Sequence, residues 1–193
     1  LTATRIPVAV VTQVSRFFNS VSINQSKGAA SIAEHFIQTG HTSFGFIAQE
    51  SVDTRKVSSW TKKITSQGFT LDKENQFWIA KGEGERTSGH ISILDDIIEK
   101  LASRRQRCSC LWVYNDVAAS YIIDGLKEKG VSVPKDIAIA SFDNTLLAQT
   151  KRITSVAQPI HEIAHLAFQM VKNENNREGI EMYEITSRLI IRE

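Results

Sequence analysis

Two polar pairs stand where side chains could do chemistry. Asn115-Asp116 closes the apolar run from Cys110 to Tyr114, and Asp143-Asn144 closes the run from Ile137 to Phe142. Between them the chain reads as a helix, so the passage is strand, helix, strand. Parallel strands that end side by side in polar residues place those side chains at the mouth of the sheet, where open α/β folds bind ligands. The chemistry that such a set offers is hydrogen-bonded recognition. No GxSxG elbow, phosphate-cradling glycine loop with its lysine, or CxxC pair accompanies it.

A second set spells a different chemistry. His161-Glu162-Ile163-Ala164-His165 is an HExxH sequence. On a helix its imidazoles share a face and can both hold zinc while the glutamate activates water, with Glu184 as a third ligand. Against this, Pro159 puts His161 in the first helical turn, whereas a zinc helix carries its ligands well inside. Ile160, Ile163, Ala164 and Ala167 give the segment the inward face of an ordinary amphipathic helix. Two surface histidines and a solvated glutamate are therefore expected, with no catalytic residue, no metal and no cofactor. Cys108 and Cys110, if both lie on a strand, share a face, but a disulfide across one residue would be strained. A reduced pair is expected, as in a cytosolic protein.

The elements that must position these residues are legible from apolar spacing. Strands are expected at 6–11, 21–23, 43–48, 77–80, 111–114, 137–142 and 183–191. Helices are expected at 27–39, 55–66, 87–101, from Asp116 as N-cap to the stop at Gly130, and from Pro159 to about Val171. Gly40 and Gly68 stand in helix-stop positions, and KGEGER (81–86) reads as a flexible loop rather than a dinucleotide fingerprint. Strands alternating with helices of this length make βαβ units, hence an α/β, Rossmann-like, doubly wound parallel sheet. A net charge of +2 gives no electrostatic case for nucleic acid, and no apolar run approaches a membrane span. The chain opens LTATRIPVAVV without a methionine or a signal peptide, so it is read as a fragment of a longer protein.

The stretch YNDVAASYIIDGLKEKGVSVPKDIAIASFDN, followed by ITSVAQPIHEIA, resembles the effector-binding domain of the lactose-repressor/galactose-repressor family of bacterial transcription regulators. KGAASIAEHFIQTGHTSFGFIAQ, upstream, is similar to that family's helix, Gly-His turn and strand. The resemblance implies a periplasmic-binding-protein-like fold of type I: two Rossmann-like subdomains, three crossovers, and a small molecule in the cleft. The crossovers are expected near Asn24, 155–158 and 183–185. Residues 24–155 with 184–193 would form a C-terminal effector-binding subdomain, and 1–23 with 159–182 part of an N-terminal one. The DNA-binding headpiece would lie outside the chain.

The same resemblance implies the ligand-binding residues. Asp143 matches the cleft aspartate and Asn115 the cleft asparagine, while Gln158 sits at the crossover glutamine. The family carries an arginine four residues before an aromatic. Trp60 fits the aromatic, but Lys56 holds the arginine register and Arg55 is one residue off. Thr12 and Gln13 stand where many relatives carry an aspartate, and Gly84 where a stacking aromatic is common. The expected protein is a cytoplasmic, homodimeric, non-enzymatic sensor of a small metabolite, a sugar foremost, that acts on DNA through the headpiece. A periplasmic sugar-binding protein of the same fold is the alternative, and a zinc hydrolase a third reading.

Overall fold

Alternation at a period of two decides the larger part of this molecule. In β3 (Phe44–Gln49), Phe44, Phe46 and Ala48 enter one core cluster while Ile47 enters another. In β5 (Cys110–Val113), Cys110 and Trp112 enter the first and Leu111 and Val113 the second. The same division holds in β6 (Ala138–Asp143), with Ala140 and Phe142 against Ile139. Strands buried on both faces in this way belong to a parallel sheet covered by helices on each side.

The computed structural model describes residues 7–50, 52–80, 88–103, 107–173 and 179–192. The chain divides into two units, Leu1–Gln25 with Gln158–Ser187 and Ser26–Ala157 with Arg188–Glu193. The larger unit holds a six-stranded sheet. Its strands, besides β3, β5 and β6, are β4 (Gln76–Ile79), β7 (Thr154–Ala157) and β9 (Arg188–Ile190), in the order β4-β3-β5-β6-β7-β9. All neighbours run parallel except β7 and β9. Helices α1 (Gln25–Gln38) and α2 (Thr54–Thr65) cover one face through Ile32, Phe36, Val57 and Trp60. Helices α3 (Ser88–Ser103) and α4 (Asp116–Glu128) cover the other through Leu94, Ile98, Ile122 and Leu126. The sheet is doubly wound, and the α/β, Rossmann-like expectation is borne out.

The smaller unit holds β1 (Ala9–Thr12), β2 (Asn19–Asn24) and β8 (Met182–Thr186), all parallel in the order β1-β2-β8. Helix α6 (Ile160–Asn173) closes it with Ile163 and Met170 against Val21, Ile23 and Ile185.

Three sequence expectations are corrected here. The run 183–191, read as one strand, is two: β8 pairs with β2 as far as Thr186, and β9 pairs antiparallel with β7 in the other sheet. Residues 184–187 accordingly lie in the smaller unit. The passage between Asp143 and Pro159, where no strand or helix was expected, holds the short helix α5 (Leu146–Thr150) and β7. Cys108 and Cys110, which would share a face if both lay on a strand, do not meet that condition: Cys108 precedes β5, and the two free thiols pack into different core clusters. The KGEGER loop and Gly84 lie outside the described residues.

One glycine is fixed by close packing. A Cβ on Gly45 would sit 2.8 Å from the Cys108 sulfur and 2.9 Å from the Asn75 carbonyl oxygen. The backbone atom cannot swing aside as a flexible side chain could. Gly45→Ala is therefore expected to cost about 1–3 kcal/mol of stability. Urea denaturation measures this, and an unchanged midpoint would contradict it.

Candidate functional site

The strand order reverses between β3 and β5. The chain leaves β3 towards β4 on one side and builds β5, β6 and β7 on the other. The loops at the carboxyl ends of these strands therefore diverge and leave a crevice, the position at which open α/β sheets take ligands.

The loop after β3 carries Asp53, which is 1% exposed. One carboxylate oxygen accepts from the Gln49 backbone N–H at 2.8 Å, which fixes the turn into α2. The other lies 2.7 Å from the Lys56 Nζ, an ion pair whose angles fall short of a hydrogen bond. Lys56 is itself buried, and its ammonium stands 4.5 Å above the Phe142 ring. A buried lysine held by a carboxylate and an aromatic face is a fixed point charge rather than a solvated one.

Tyr114, following β5, is affected by the same carboxylate. Burial, and after it the negative charge of Asp53, push its phenol up to about 12. Both disfavour the phenolate, so the folded state prefers the neutral ring. Stability from this group is present below the ordinary pKa of 10 and is lost as pH rises towards about 12. The loss is expected to be about 1–2 kcal/mol, because solvent reaching the phenol screens part of the effect. In a titration of phenolate absorbance one of the three tyrosines should ionise near 12. Ionisation of all three near 10 would contradict this.

Asn115, two residues beyond β5, caps α4, its side-chain oxygen accepting from the Ala118 N–H at 2.8 Å. The cap thus falls on Asn115, not on Asp116 as expected. Asp116 instead is fully buried and collects four hydrogen bonds. One oxygen accepts from the hydroxyls of Ser141 at 2.5 Å and Ser155 at 2.6 Å. The other accepts from the Thr145 N–H at 2.6 Å and its hydroxyl at 2.8 Å. The carboxylate ties α4, β6, β7 and the residue before α5 to one point. Ser155 also accepts from the Asn144 N–H at 3.0 Å.

This hub holds a strained turn. Asp143 and Asn144 have φ of 104° and 52°, both in the region that side-chain-bearing residues rarely adopt. Serine and threonine donors on either side over-determine the turn and set the position of the Asp143 backbone.

The residues expected to bind ligand are thus distributed as follows. Asn115, Lys56 and Asp143 stand at the carboxyl edge of the larger unit, after or beside β5, β3 and β6. Arg55 is exposed on α2, while Trp60 is completely buried in the core against Trp112 and serves packing. Thr12, at φ 68° as the last residue of β1, and Gln158, before α6, belong to the smaller unit. Asp53 and the true role of Asp116 were missed. The Asp53–Lys56 spacing of i,i+3 on a helix start was the available signal for the first. His161, Glu162 and His165 are exposed on α6, and no group of three or more metal-ligating side chains occurs among the described residues.

Residues 33–193 match the family model described as a periplasmic binding protein-like domain. The chain belongs to that family. The resemblance to the lactose-repressor/galactose-repressor regulators is likewise borne out by relatives. Catabolite control protein A of Priestia megaterium is 27% identical over 168 residues, which cover 84% of this chain and 48% of that protein. The chain thus spans about half the length of the relatives it matches. Among solved structures, a LacI-family regulatory protein from Chloroflexus aggregans superposes with a TM-score of 0.83 at 19% identity, covering 99% of this chain and 69% of the other. A periplasmic binding protein/LacI transcriptional regulator from Alkaliphilus metalliredigens, complexed with D-xylulofuranose, gives a TM-score of 0.78 at 20% identity. That match covers 98% of this chain and 70% of the other. In this periplasmic-binding-protein-like domain, no helix among the described residues is long and apolar enough to cross a membrane.

Proposed function

We propose that this chain is the sensor region of a cytoplasmic, homodimeric transcription regulator, and that it binds a sugar without transforming it. Asp143 and Asn115 are the principal contacts, with Lys56, Arg55, Gln158 and Thr12 as the further ligand-binding set. DNA is read by a segment other than these residues.

The observation that carries this reading is the built turn at 143–144. A buried carboxylate, two serines and a threonine hold the backbone of Asp143 in a strained conformation at the sheet edge. Strain of this kind persists where the surroundings impose it, and it clusters at ligand clamps. A carboxylate at that place suits neighbouring hydroxyls, because both oxygens accept and the charge strengthens each bond. The amide of Asn115 has its oxygen in the helix cap, leaving its NH₂ group to donate to a ligand oxygen. Lys56 adds a positive charge but no planar fork, which favours hydroxyl and ring-oxygen partners over bidentate recognition. The D-xylulofuranose bound by the Alkaliphilus protein is of the same chemical class.

Sugar binding regulates DNA binding only if the sugar prefers one conformation of the whole protein. The shift can be no larger than that difference in affinity. The test is a thermal-shift panel of pentoses, hexoses, disaccharides and purine bases on the full-length gene product. A sugar at about 100 times its Kd is expected to add roughly 2.7 kcal/mol, a rise of several degrees in Tm. Stabilisation by a purine base with no response to any sugar would overturn the assignment.

A further inference from the structure

The larger unit has a second concavity, at the opposite edge of its sheet. A cavity of about 540 Å³ opens where β6 and β7 begin and α1 ends. Its size is within the range of small-molecule pockets. Phe36, Ile139 and Ile153 supply an apolar floor. His35, His41, Lys151, Arg152 and Arg192 supply the polar part, and no aspartate or glutamate lines it.

The charges are not equivalent. Lys151 is ion-paired with Asp124, and His41, whose protonated form is disfavoured by burial, is hydrogen-bonded through Nδ1 to the Ser109 hydroxyl at 3.1 Å. Arg192 is different. Its guanidinium donates to the Ile153 carbonyl at 2.7 Å and to the Asn144 side-chain oxygen, and its backbone N–H to the Thr154 hydroxyl at 2.9 Å. Every acceptor is neutral, so a half-buried cation has no carboxylate partner among the described residues. A guanidinium in that state attracts an anion strongly, because its surroundings are less polar than water. The end of α1 opposes this field less than an uncapped helix end would. The carbonyls of His35, Phe36 and Ile37 already accept from Thr39, His41 and Gly40.

We propose that this cavity binds a small organic anion, its carboxylate or phosphate on Arg192 and Arg152 and its aromatic or hydrocarbon body on the apolar floor. The site is separate from the carboxyl-edge crevice and does not depend on the sugar assignment. It is nonetheless wired to that crevice, since Arg192 also holds the side chain of Asn144, next to Asp143. An anion that draws the guanidinium away alters the turn on which Asp143 stands.

The test is an amide-resolved NMR titration of the full chain with phenyl phosphate. Benzyl alcohol and inorganic phosphate serve as the body-only and charge-only counterparts. Saturable shifts are expected around 35–41, 134–139 and 151–154, reaching Asn144, with a midpoint at or below about 1 mM. Either counterpart alone is expected to bind at least about tenfold more weakly. Arg192→Gln should weaken phenyl phosphate by about tenfold or more, and replacement of the exposed arginine in Arg152→Gln by about fivefold. If Arg192→Gln does not fold, Arg152→Gln decides. An unchanged midpoint in Arg152→Gln, benzyl alcohol binding as well as phenyl phosphate, or shifts confined to the carboxyl edge would overturn the proposal.

Discussion

Replacing Asp116 by alanine is expected to destabilise the larger unit by about 3–5 kcal/mol, the largest effect of any single polar change in it. The carboxylate receives four hydrogen bonds from three residues while completely buried. Removing it leaves their donors facing a void. The hydroxyls of Ser141 and Ser155 can rotate in search of other acceptors, but the Thr145 N–H has a direction fixed by the backbone and cannot. Because the donors share one acceptor group, the cost is not four independent bonds summed. Asp116→Asn separates the contributions. Its oxygen can still meet both Thr145 donors, while its NH₂ group can donate to serine hydroxyls that turn to accept, so about 1–2 kcal/mol is expected. Chemical denaturation of both variants measures the difference. Equal stability of the wild type and Asp116→Ala would show that the network does not hold this edge together.

The second large effect is on binding. Asp143→Gly is expected to abolish sugar recognition, with affinity falling about 100-fold or more, while leaving stability within about 1 kcal/mol of wild type. Two opposed changes give this separation. Losing a carboxylate that accepts from neighbouring hydroxyls removes two charge-assisted hydrogen bonds from the complex. At φ 104°, glycine relieves a strain that aspartate bears, offsetting the local interactions that Asp143 makes in the free protein. Asp143→Ala should lose the same affinity but be less stable than the glycine variant, since alanine keeps the strained Cβ. Calorimetric titration and thermal melts on the three proteins check this. Retained sugar affinity in Asp143→Gly would remove Asp143 from the site.

The elements with strong periodicity are legible in the sequence. β5, α4 and β6 follow from apolar alternation, the 3.6-residue spacing of Ala119, Ile122 and Leu126, and Gly130, which ends the helix at φ 78°. α5 and β7 were not legible: five residues are too few to show a helical period, and β7, with Thr154 and Ser155 before Val156, lacks the continuous apolar run that marks the equally short β5. The single strand read across 183–191 failed for a different reason. Alternation persists through Ser187, and only the tertiary pairing assigns its two halves to different sheets. At the site, the paired polar residues after β5 and β6 correctly marked the edge. Within each pair, however, the division of labour depended on what approached from elsewhere. Asp116 reads as a cap in isolation, and becomes a hub only once β6 and β7 bring Ser141 and Ser155 beside it.

The central claim is that a sugar is held at the carboxyl edge of the larger unit. The most direct measurement is a crystal structure of the full-length protein with the sugar that stabilises it. Sugar hydroxyls are expected within hydrogen-bonding distance of the Asp143 carboxylate and the Asn115 amide, with the 143–144 turn unchanged. A sugar bound elsewhere with both side chains uninvolved would contradict it.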